Sequence, residues 1–313
     1  MARPQPATVV LAGGHESDGG RDLAALVAAG PAVHAAAPAG RPLAEAVRSA
    51  LAAADRPVCV VPMTLGRDPR LVADTARALR RLAAGEGRGR LALAAPFGAA
   101  EHLIGWLRAA ARTAPDGALL VTAPAAGPFE DAELFRIARL VRQYGRHRWV
   151  EVAFEGGDPD PAEGAARCRL LGAREVTAVP ASFGPALRAA PPGVRDEARD
   201  GVRGGVRDTG RSVVRDTAPE VVPVDGRGGV RDGGPLLRPS AIAGVIAART
   251  VAALHLLGHG EDGIRAGLEA EHGHGYPHSH GPGGAHHPHG HPDPVPHPHR
   301  HHPHAPAPAH TPH

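Results

Sequence analysis

The chain has 313 residues, enough for one large or two ordinary domains, and 42% of them are apolar, enough for a buried core. A formal charge of only +3 argues against a dedicated nucleic-acid binder, which would carry a concentrated basic face. Two cysteines are too few for a disulfide framework and favour a reducing compartment.

The composition is uneven along the chain. Of the 21 histidines, 15 lie between His272 and His313, and the chain contains 41 Gly and 33 Pro. We therefore expect a folded body that carries at least one unfolded tail. Residues 1–12 lack an apolar region long enough for a signal peptide, and the apolar stretch 241–257, interrupted by Arg249, is expected to fall short of a bilayer span. A cytoplasmic protein with no membrane and no nucleic-acid partner is the expectation.

The first part of the chain alternates short apolar runs with segments of helical spacing. Residues 7–12 (ATVVLA) end in Gly13-Gly14, which is typical of a buried parallel strand and a tight turn. Three further strand–helix pairs are predicted at 31–37 and 42–54, 57–63 and 69–85, and 90–96 and 99–112. This alternation predicts a doubly wound α/β sheet.

The pattern then restarts, which indicates a duplicated architecture. Strands are predicted at 118–123, 148–154 and 174–181, with helices at 130–144 and 160–172 between them and a closing helix at 239–257. Repeated Val-Arg-Asp and Val-Arg-Gly triplets at 189–234 predict a disordered insert, removable over 189–217, with one short strand at 220–224. The predicted organisation is a first half at 1–115, a second half at 116–258 and a disordered tail at 259–313.

The turn after the first strand is the leading candidate site. It contains His15 between glycines and acidic residues, at the edge of the sheet where parallel α/β proteins bind ligands. An imidazole there suits proton transfer or metal binding, and a helix-capping histidine is the structural alternative.

Several segments in order resemble the CbiX-type chelatases, the class II sirohydrochlorin cobaltochelatases and ferrochelatases. The first turn, LAGGHESDGG, resembles the family's GHGSR motif, with Glu16 in place of a glycine. Residues 60–69 (VVPMTLGRDP) resemble its VVPLFLxxGxH segment, and 90–98 (RLALAAPFG) resemble its fourth strand. Residues 150–183 resemble its second half, so the likeness covers about 7–183 and weakly 220–257.

The resemblance implies two sheet halves around a tetrapyrrole, and insertion of a divalent metal during cobalamin or siroheme biosynthesis. Co²⁺ is the first expectation, with Fe²⁺ or Ni²⁺ as alternatives and no organic cofactor. The resemblance assigns His15 as general base and metal ligand. Arg67 is expected to pair with substrate carboxylates, and Ser17 and Glu155 are further candidates for contacting the tetrapyrrole.

The sequence departs from the family where the second histidine should stand. Residues 66–69 read Gly-Arg-Asp-Pro, so Asp68 is the candidate to supply a carboxylate base or ligand, with Asp74 as an alternative. His102 is a candidate metal ligand at another strand end. Each also has a structural interpretation: Asp68 as a helix cap, Asp74 as a solvated helix residue, and His102 as a polar residue of a first helical turn.

The His-rich tail is the second functional signal. Alternating His and Pro cannot form helix or sheet, and imidazoles at this density bind Ni²⁺, Co²⁺, Cu²⁺ or Zn²⁺. A polar linker or an expression tag is the alternative. His255 and His259 could extend the site. The candidate metal ligands in the tail are His272, His274, His278, His280, His286, His287, His289 and His291.

Three functions remain open on the sequence. The first is a tetrapyrrole metal chelatase supplied by its own tail. The second is a non-catalytic chelatase-like protein that stores or delivers metal, which the missing histidine favours. The third is a generic α/β ligand binder, and the oligomeric state stays open in each case.

Overall fold

The computed structural model of the protein describes residues 7–29, 33–188 and 229–270, which belong to one compact unit. The strand expected at 220–224, the removable segment 189–217 and the tail histidines from His272 onward lie outside the described residues.

The first half is a parallel four-stranded sheet with strand order β2-β1-β3-β4. Its strands are β1 (Thr8–Gly13), β2 (Val33–Pro38), β3 (Val58–Met63) and β4 (Leu91–Leu93). The central strands β1 and β3 are buried along their whole length, as continuous apolar runs in a parallel sheet require. The helices of this half are α1 (Ala24–Ala29), α2 (Arg41–Ala53), α3 (Pro69–Ala84) and α4 (Ala100–Thr113).

The second half repeats this arrangement. Its strands are β5 (Ala118–Pro124), β6 (Trp149–Glu155), β7 (Val176–Pro180) and β8 (Val230–Asp232), in the order β6-β5-β7-β8. Its helices are α5 (Pro128–Gln143) and α6 (Pro161–Leu170), and two further helices follow β8, α7 (Pro239–Gly258) and α8 (Ile264–Glu269). All neighbouring strands in both sheets are parallel. The equivalent strand orders confirm the predicted α/β fold of two similar halves.

The two sheets share one hydrophobic core. Leu11 and Val61 of the first sheet belong to the same buried cluster as Leu119 and Val121 of the second. A second cluster covers the other face of the first sheet beneath α2, α3 and α8, and a smaller one lies between the second sheet and α6. The halves are therefore packed against each other rather than joined by a linker alone.

The last described segment, residues 259–270, returns to the first half, which differs from the predicted boundaries. The amide of Leu93 in β4 donates to the Asp262 carbonyl at 2.8 Å, and α8 then packs against α3. Ile264 is buried with the outer core of the first sheet. The tail expected from residue 259 therefore begins with an ordered helix. The insert predicted to be disordered at 189–234 also contains an ordered strand. This strand, β8, is ordered because it pairs with β7 and completes the second sheet.

Helix α7 corrects one further expectation. It extends over 20 residues, and the most apolar 18 of them have a mean hydropathy of 1.7, so by length and composition it is long and apolar enough to cross a membrane despite Arg249. One face, which includes Ile242, Ile246 and Ala253, is buried in the shared core.

His34 lies in β2 and is exposed. Its strand, β2, lies at the edge of the sheet, and its Nε2 lies 3.3 Å from the Ser49 hydroxyl. Both cysteines, Cys59 and Cys168, are buried and free, in agreement with the absence of a disulfide framework.

Candidate functional site

The turn after β1 places His15 at the carboxyl-terminal edge of the first sheet. Residues His15–Leu23 form a distorted 3-10 segment in which Asp18, Gly19 and Gly20 have positive φ angles of 48°, 62° and 96°. The Ser17 hydroxyl donates to the Gly14 carbonyl at 3.2 Å and closes the turn. Ser17 is buried, so it acts within the turn in this structure.

His15 and Asp68 are in direct contact. His15 Nδ1 lies 3.0 Å from Asp68 Oδ2, which connects the turn after β1 to the start of α3. The other oxygen, Oδ1, accepts from the Leu71 amide at 2.9 Å and caps the helix. Asp68 therefore fulfils the capping interpretation and also orients the candidate base. His15 Nε2 is buried without a hydrogen-bond partner among the described residues.

Glu16 anchors the loop that carries Asp68. One carboxylate oxygen, Oε2, accepts from the Thr64 hydroxyl and from the Leu65 amide, the latter at 2.9 Å. The Thr64 oxygen in turn accepts from the Asp68 amide at 3.2 Å. Glu16 is fully buried, and its hydrogen bonds hold the loops after β1 and β3 together.

The pKa values of Glu16 and Asp68 are shifted in opposite directions. Burial raises the pKa of Glu16 above its usual value, and the charges of Arg67 and His15 offset that effect only in part. Burial also acts to raise the pKa of Asp68, but the hydrogen bond and charge interaction with His15, together with the Leu71 amide, outweigh it. The pKa of Asp68 therefore lies below its usual value, and Asp68 is ionised at neutral pH.

Arg67 bridges the two halves from a buried position. Its Nε donates to the Glu130 carbonyl at 3.2 Å, and one terminal nitrogen donates to Asp131 Oδ1 at 3.3 Å. Its side chain is 0% exposed. It was expected to pair with substrate carboxylates, but in this structure it is withdrawn from solvent and engaged with the start of α5. The neighbouring Gly66 permits this path, because a Cβ there would lie 2.3 Å from the Ala100 backbone.

A second arginine also connects the two halves. Arg188, eight residues beyond β7, donates through Nε to Glu155 at 3.0 Å and pairs with Asp22 and, at 3.7 Å, with Asp18. Glu155 was a candidate for contacting the tetrapyrrole, but it also accepts from the Arg188 amide at 2.7 Å. The structure therefore gives Glu155 an arginine partner in place of an open site.

His102 is not brought to His15. Its Nδ1 accepts from the Ala99 amide at 3.1 Å, and its ring stacks on Trp106 with centroids 5.7 Å apart, which matches the first-turn interpretation. Asp74 is exposed on α3 and pairs with Arg77, which matches the solvated interpretation. Within residues 7–29, 33–188 and 229–270 no group of three or more His, Cys, Asp or Glu is arranged to hold a metal ion.

A large apolar groove lies away from His15. Its volume is about 1000 Å³, and it extends beneath α7 along Val9, Leu26, Val33 and Leu254. Ala7, Pro57 and Gly89, which precede β1, β3 and β4, also line it. The groove is therefore at the amino-terminal edge of the sheet, whereas the polar chemistry is at the carboxyl-terminal edge.

Sequence reasoning missed the polar partners that surround the site. Glu16 was noted only as a departure from a motif, and Thr64, Asp131 and Arg188 were not singled out. The sequence did contain a signal for Glu16. It lies next to His15 in a glycine-rich turn and not on the solvated face of a helix, so its carboxylate could have been expected to have a partner within the site. No local pattern marks Arg188 as a bridge, since its partners Asp18 and Asp22 are far away in sequence.

No protein-family model and no curated protein matches this sequence. Among solved structures, the sirohydrochlorin chelatase SirB of Bacillus subtilis subspecies spizizenii, in complex with cobalt, is similar at 14% identity and a TM-score of 0.37, over 56% of this chain and 73% of that one. A multi-domain protein of Deinococcus radiodurans, with structural similarity to chelatases and two additional novel domains, is similar at 21% identity and a TM-score of 0.36, over 56% of this chain and 43% of that one. The fold assignment rests on the strand orders of the two sheets.

Proposed function

We propose that this chain is a tetrapyrrole chelatase that inserts a divalent metal, cobalt foremost, into sirohydrochlorin or a close relative. The observation that carries the proposal is the His15–Asp68 pair at 3.0 Å, with Nε2 of His15 left without a hydrogen-bond partner among the described residues. The ordered motif resemblance along residues 7–183 supplies the substrate class. Metal and macrocycle are both substrates here, and the residues supply proton transfer and orientation.

The pair gives His15 a defined chemical state. Nδ1–H donates to ionised Asp68, so the proton of neutral imidazole resides on Nδ1 and the lone pair on Nε2. That lone pair is available to accept a pyrrole N–H proton or to contact a divalent ion as it loses water. The carboxylate also stabilises the imidazolium that forms after proton transfer.

Access to Nε2 requires movement, because the atom is buried in this structure. The ion pairs of Arg188 with Asp18 and Asp22 connect the two halves, and the Arg188 side chain is 33% exposed. In the proposed cycle these ion pairs open for the macrocycle and close after metal insertion, as lids and domain interfaces do in many enzymes.

The test is conversion of the sirohydrochlorin absorption spectrum by the purified full chain with Co²⁺, and with Fe²⁺ and Ni²⁺ in separate reactions. We expect His15→Ala to lower the insertion rate by about 10²–10⁴-fold, the usual contribution of a general base. His34→Ala is the matched control, because His34 is an exposed histidine of β2 in the same half. Parent-like insertion by His15→Ala would refute the assigned role, and metal binding without any spectral conversion would favour the storage or delivery function.

A further inference from the structure

A smaller pocket of about 250 Å³ opens between α4 and α7. It combines three aromatic rings, one guanidinium and two aliphatic side chains: Phe97, His102, Trp106, Val245, Ala248 and Arg249. His102 and Ala248 are exposed, so the pocket is open to solvent on that side. Phe97 forms the buried wall, and its ring packs on that of Phe183 with centroids 5.2 Å apart. The Phe183 amide donates to the Glu16 carbonyl at 2.8 Å, which connects these rings to the turn that carries His15.

The aromatic rings form a continuous wall. The ring centroids of Phe97 and Trp106 are 5.5 Å apart, and the His102 ring stacks on Trp106 at 29° between planes. Gly98 is needed for this packing, because a Cβ there would lie 2.9 Å from the Trp106 ring. Such a wall favours a flat apolar ligand that can stack or meet it edge-on.

Arg249 supplies the polar end of the pocket. In the described part of the chain its only hydrogen bond runs from a terminal nitrogen to the Phe97 carbonyl at 3.4 Å, and no carboxylate pairs with it. Its Nε is buried and finds no acceptor within residues 7–29, 33–188 and 229–270. A partly buried guanidinium with free donors is complementary to a carboxylate, which it can bind through two parallel hydrogen bonds.

His102 adds a neutral donor to the same wall. Its Nδ1 accepts from the Ala99 amide at 3.1 Å, which leaves the ring proton of the neutral imidazole on Nε2. The pocket therefore offers donors and aromatic surface, and none of the described residues that line it is acidic.

We propose that this pocket binds a small aromatic carboxylate, with the ring against Trp106 and the carboxylate on Arg249. The volume of the pocket is consistent with a small ligand, since about 250 Å³ lies just below the usual range of about 300–1,000 Å³ for drug-sized ligands. A whole tetrapyrrole is too large for it. The proposal does not depend on metal insertion.

The experiment is a fluorescence titration with benzoate on the full chain. The chain has two tryptophans, so Trp149→Phe leaves Trp106 as the only tryptophan reporter. In that background we expect a saturable change with benzoate and at least tenfold weaker binding of benzamide, its neutral analogue. Arg249→Leu should weaken benzoate binding about 10- to 100-fold, the range for loss of a charge-assisted hydrogen bond.

Two further variants keep the test decisive. Ala248→Leu narrows the pocket from an exposed position and should also weaken benzoate binding, even where Arg249→Leu fails to fold. Arg41→Leu removes an arginine that is 91% exposed on α2 and should leave benzoate binding unchanged. Equal affinity for benzoate and benzamide, parent-like binding by both Arg249→Leu and Ala248→Leu, or a signal that does not saturate would overturn the proposal.

Discussion

Asp68 combines two interactions that substitution can separate. Asn at this position retains helix capping of α3, since Asn is as good an N-cap as Asp, but it loses the charge interaction with His15. Ala loses both interactions. The residue is therefore well suited to distinguish a structural cap from an electrostatic partner.

We predict that Asp68→Asn destabilises the protein at neutral pH and that the difference from the parent shrinks in acid. Because the folded-state pKa of Asp68 is lowered, its charged form stabilises the fold above the unfolded pKa of about 3.9, and this contribution is lost as the pH falls through the folded pKa. Asp68→Ala should cost about 0.5–2 kcal/mol more, for the lost cap. Urea unfolding between pH 7 and pH 3.5 measures both effects. Asp74→Asn, on the exposed side of the same helix, is the control, and a deficit for Asp68→Asn that stays constant with pH would contradict the prediction.

Glu16 should show the opposite pH dependence. Its folded-state pKa is raised, so ionising it in the fold lowers the stability of the protein. This destabilisation is absent below the unfolded pKa of about 4.3 and grows as the pH rises above it. Glu16→Gln keeps a carbonyl oxygen for the Thr64 hydroxyl and the Leu65 amide. We expect the variant to gain stability relative to the parent between pH 4 and pH 7, measured by urea unfolding. Glu45→Gln on α2 serves as an exposed control. If Glu16→Gln instead became less stable relative to the parent as the pH rises, the argument from burial would be wrong.

At the scale of elements, the site depends on how closely two loops approach. The turn after β1 and the start of α3 meet where a Cβ on Gly14 would lie 2.3 Å from Asp68 Oδ2. The φ of Gly14 is −118°, an ordinary value, so space rather than backbone conformation requires glycine there. The close packing of these two loops is what allows Asp68 to reach His15.

We therefore predict that Gly14→Ala displaces the Asp68 carboxylate and uncouples His15. Stability should fall by about 1–3 kcal/mol, the usual cost of overpacking, and the ¹⁵N shifts of the His15 ring should lose the signature of a single Nδ1–H tautomer. Gly105→Ala is the control, because a Cβ there meets nothing within 4 Å and alanine favours the helix interior. An unchanged His15 ring spectrum in Gly14→Ala would show that the loops can relax without breaking the pair.

At the scale of the whole molecule, the halves are interleaved. Helix α7 contributes to the core shared by both sheets, and α8 packs on the outer side of the first sheet. Gly267 of α8 lies against Leu93 and Ala76, where a Cβ would meet them at 2.6 Å and 2.9 Å. A cut between the halves would therefore remove part of the first half's core.

The His-rich tail leads to a prediction about metal supply. A chain ending at residue 270 should insert Co²⁺ at the parent rate when metal is saturating, since His15 and Asp68 are retained. At scarce metal it should be slower, because a tethered reservoir raises the local ion concentration. The difference should fade on acidification below about pH 6.5, where protonated imidazoles no longer bind metal. A full-length chain with the tail histidines replaced by serine controls for tail length, and identical rates at every Co²⁺ concentration would remove any supply role.

The sequence by itself determined the alternation of strands and helices and the duplication of the sheet. Runs such as ATVVLA at 7–12 and the apolar spacing of α3 are local patterns, so they predicted their elements to within a few residues. The presence of Asp68 before Pro69 likewise indicated the start of a helix. These features need no knowledge of distant neighbours.

Only the tertiary structure decided which distant residues meet. The pairing of His15 with Asp68, the burial of Glu16 and Arg67, and the return of α8 to the first sheet depend on loops brought together by strand order. His34 shows the same limit, because its strand pattern cannot indicate that β2 lies at an edge. Burial and charge partners are properties of the packed sheet edge, where segments far apart in sequence share one low-dielectric space.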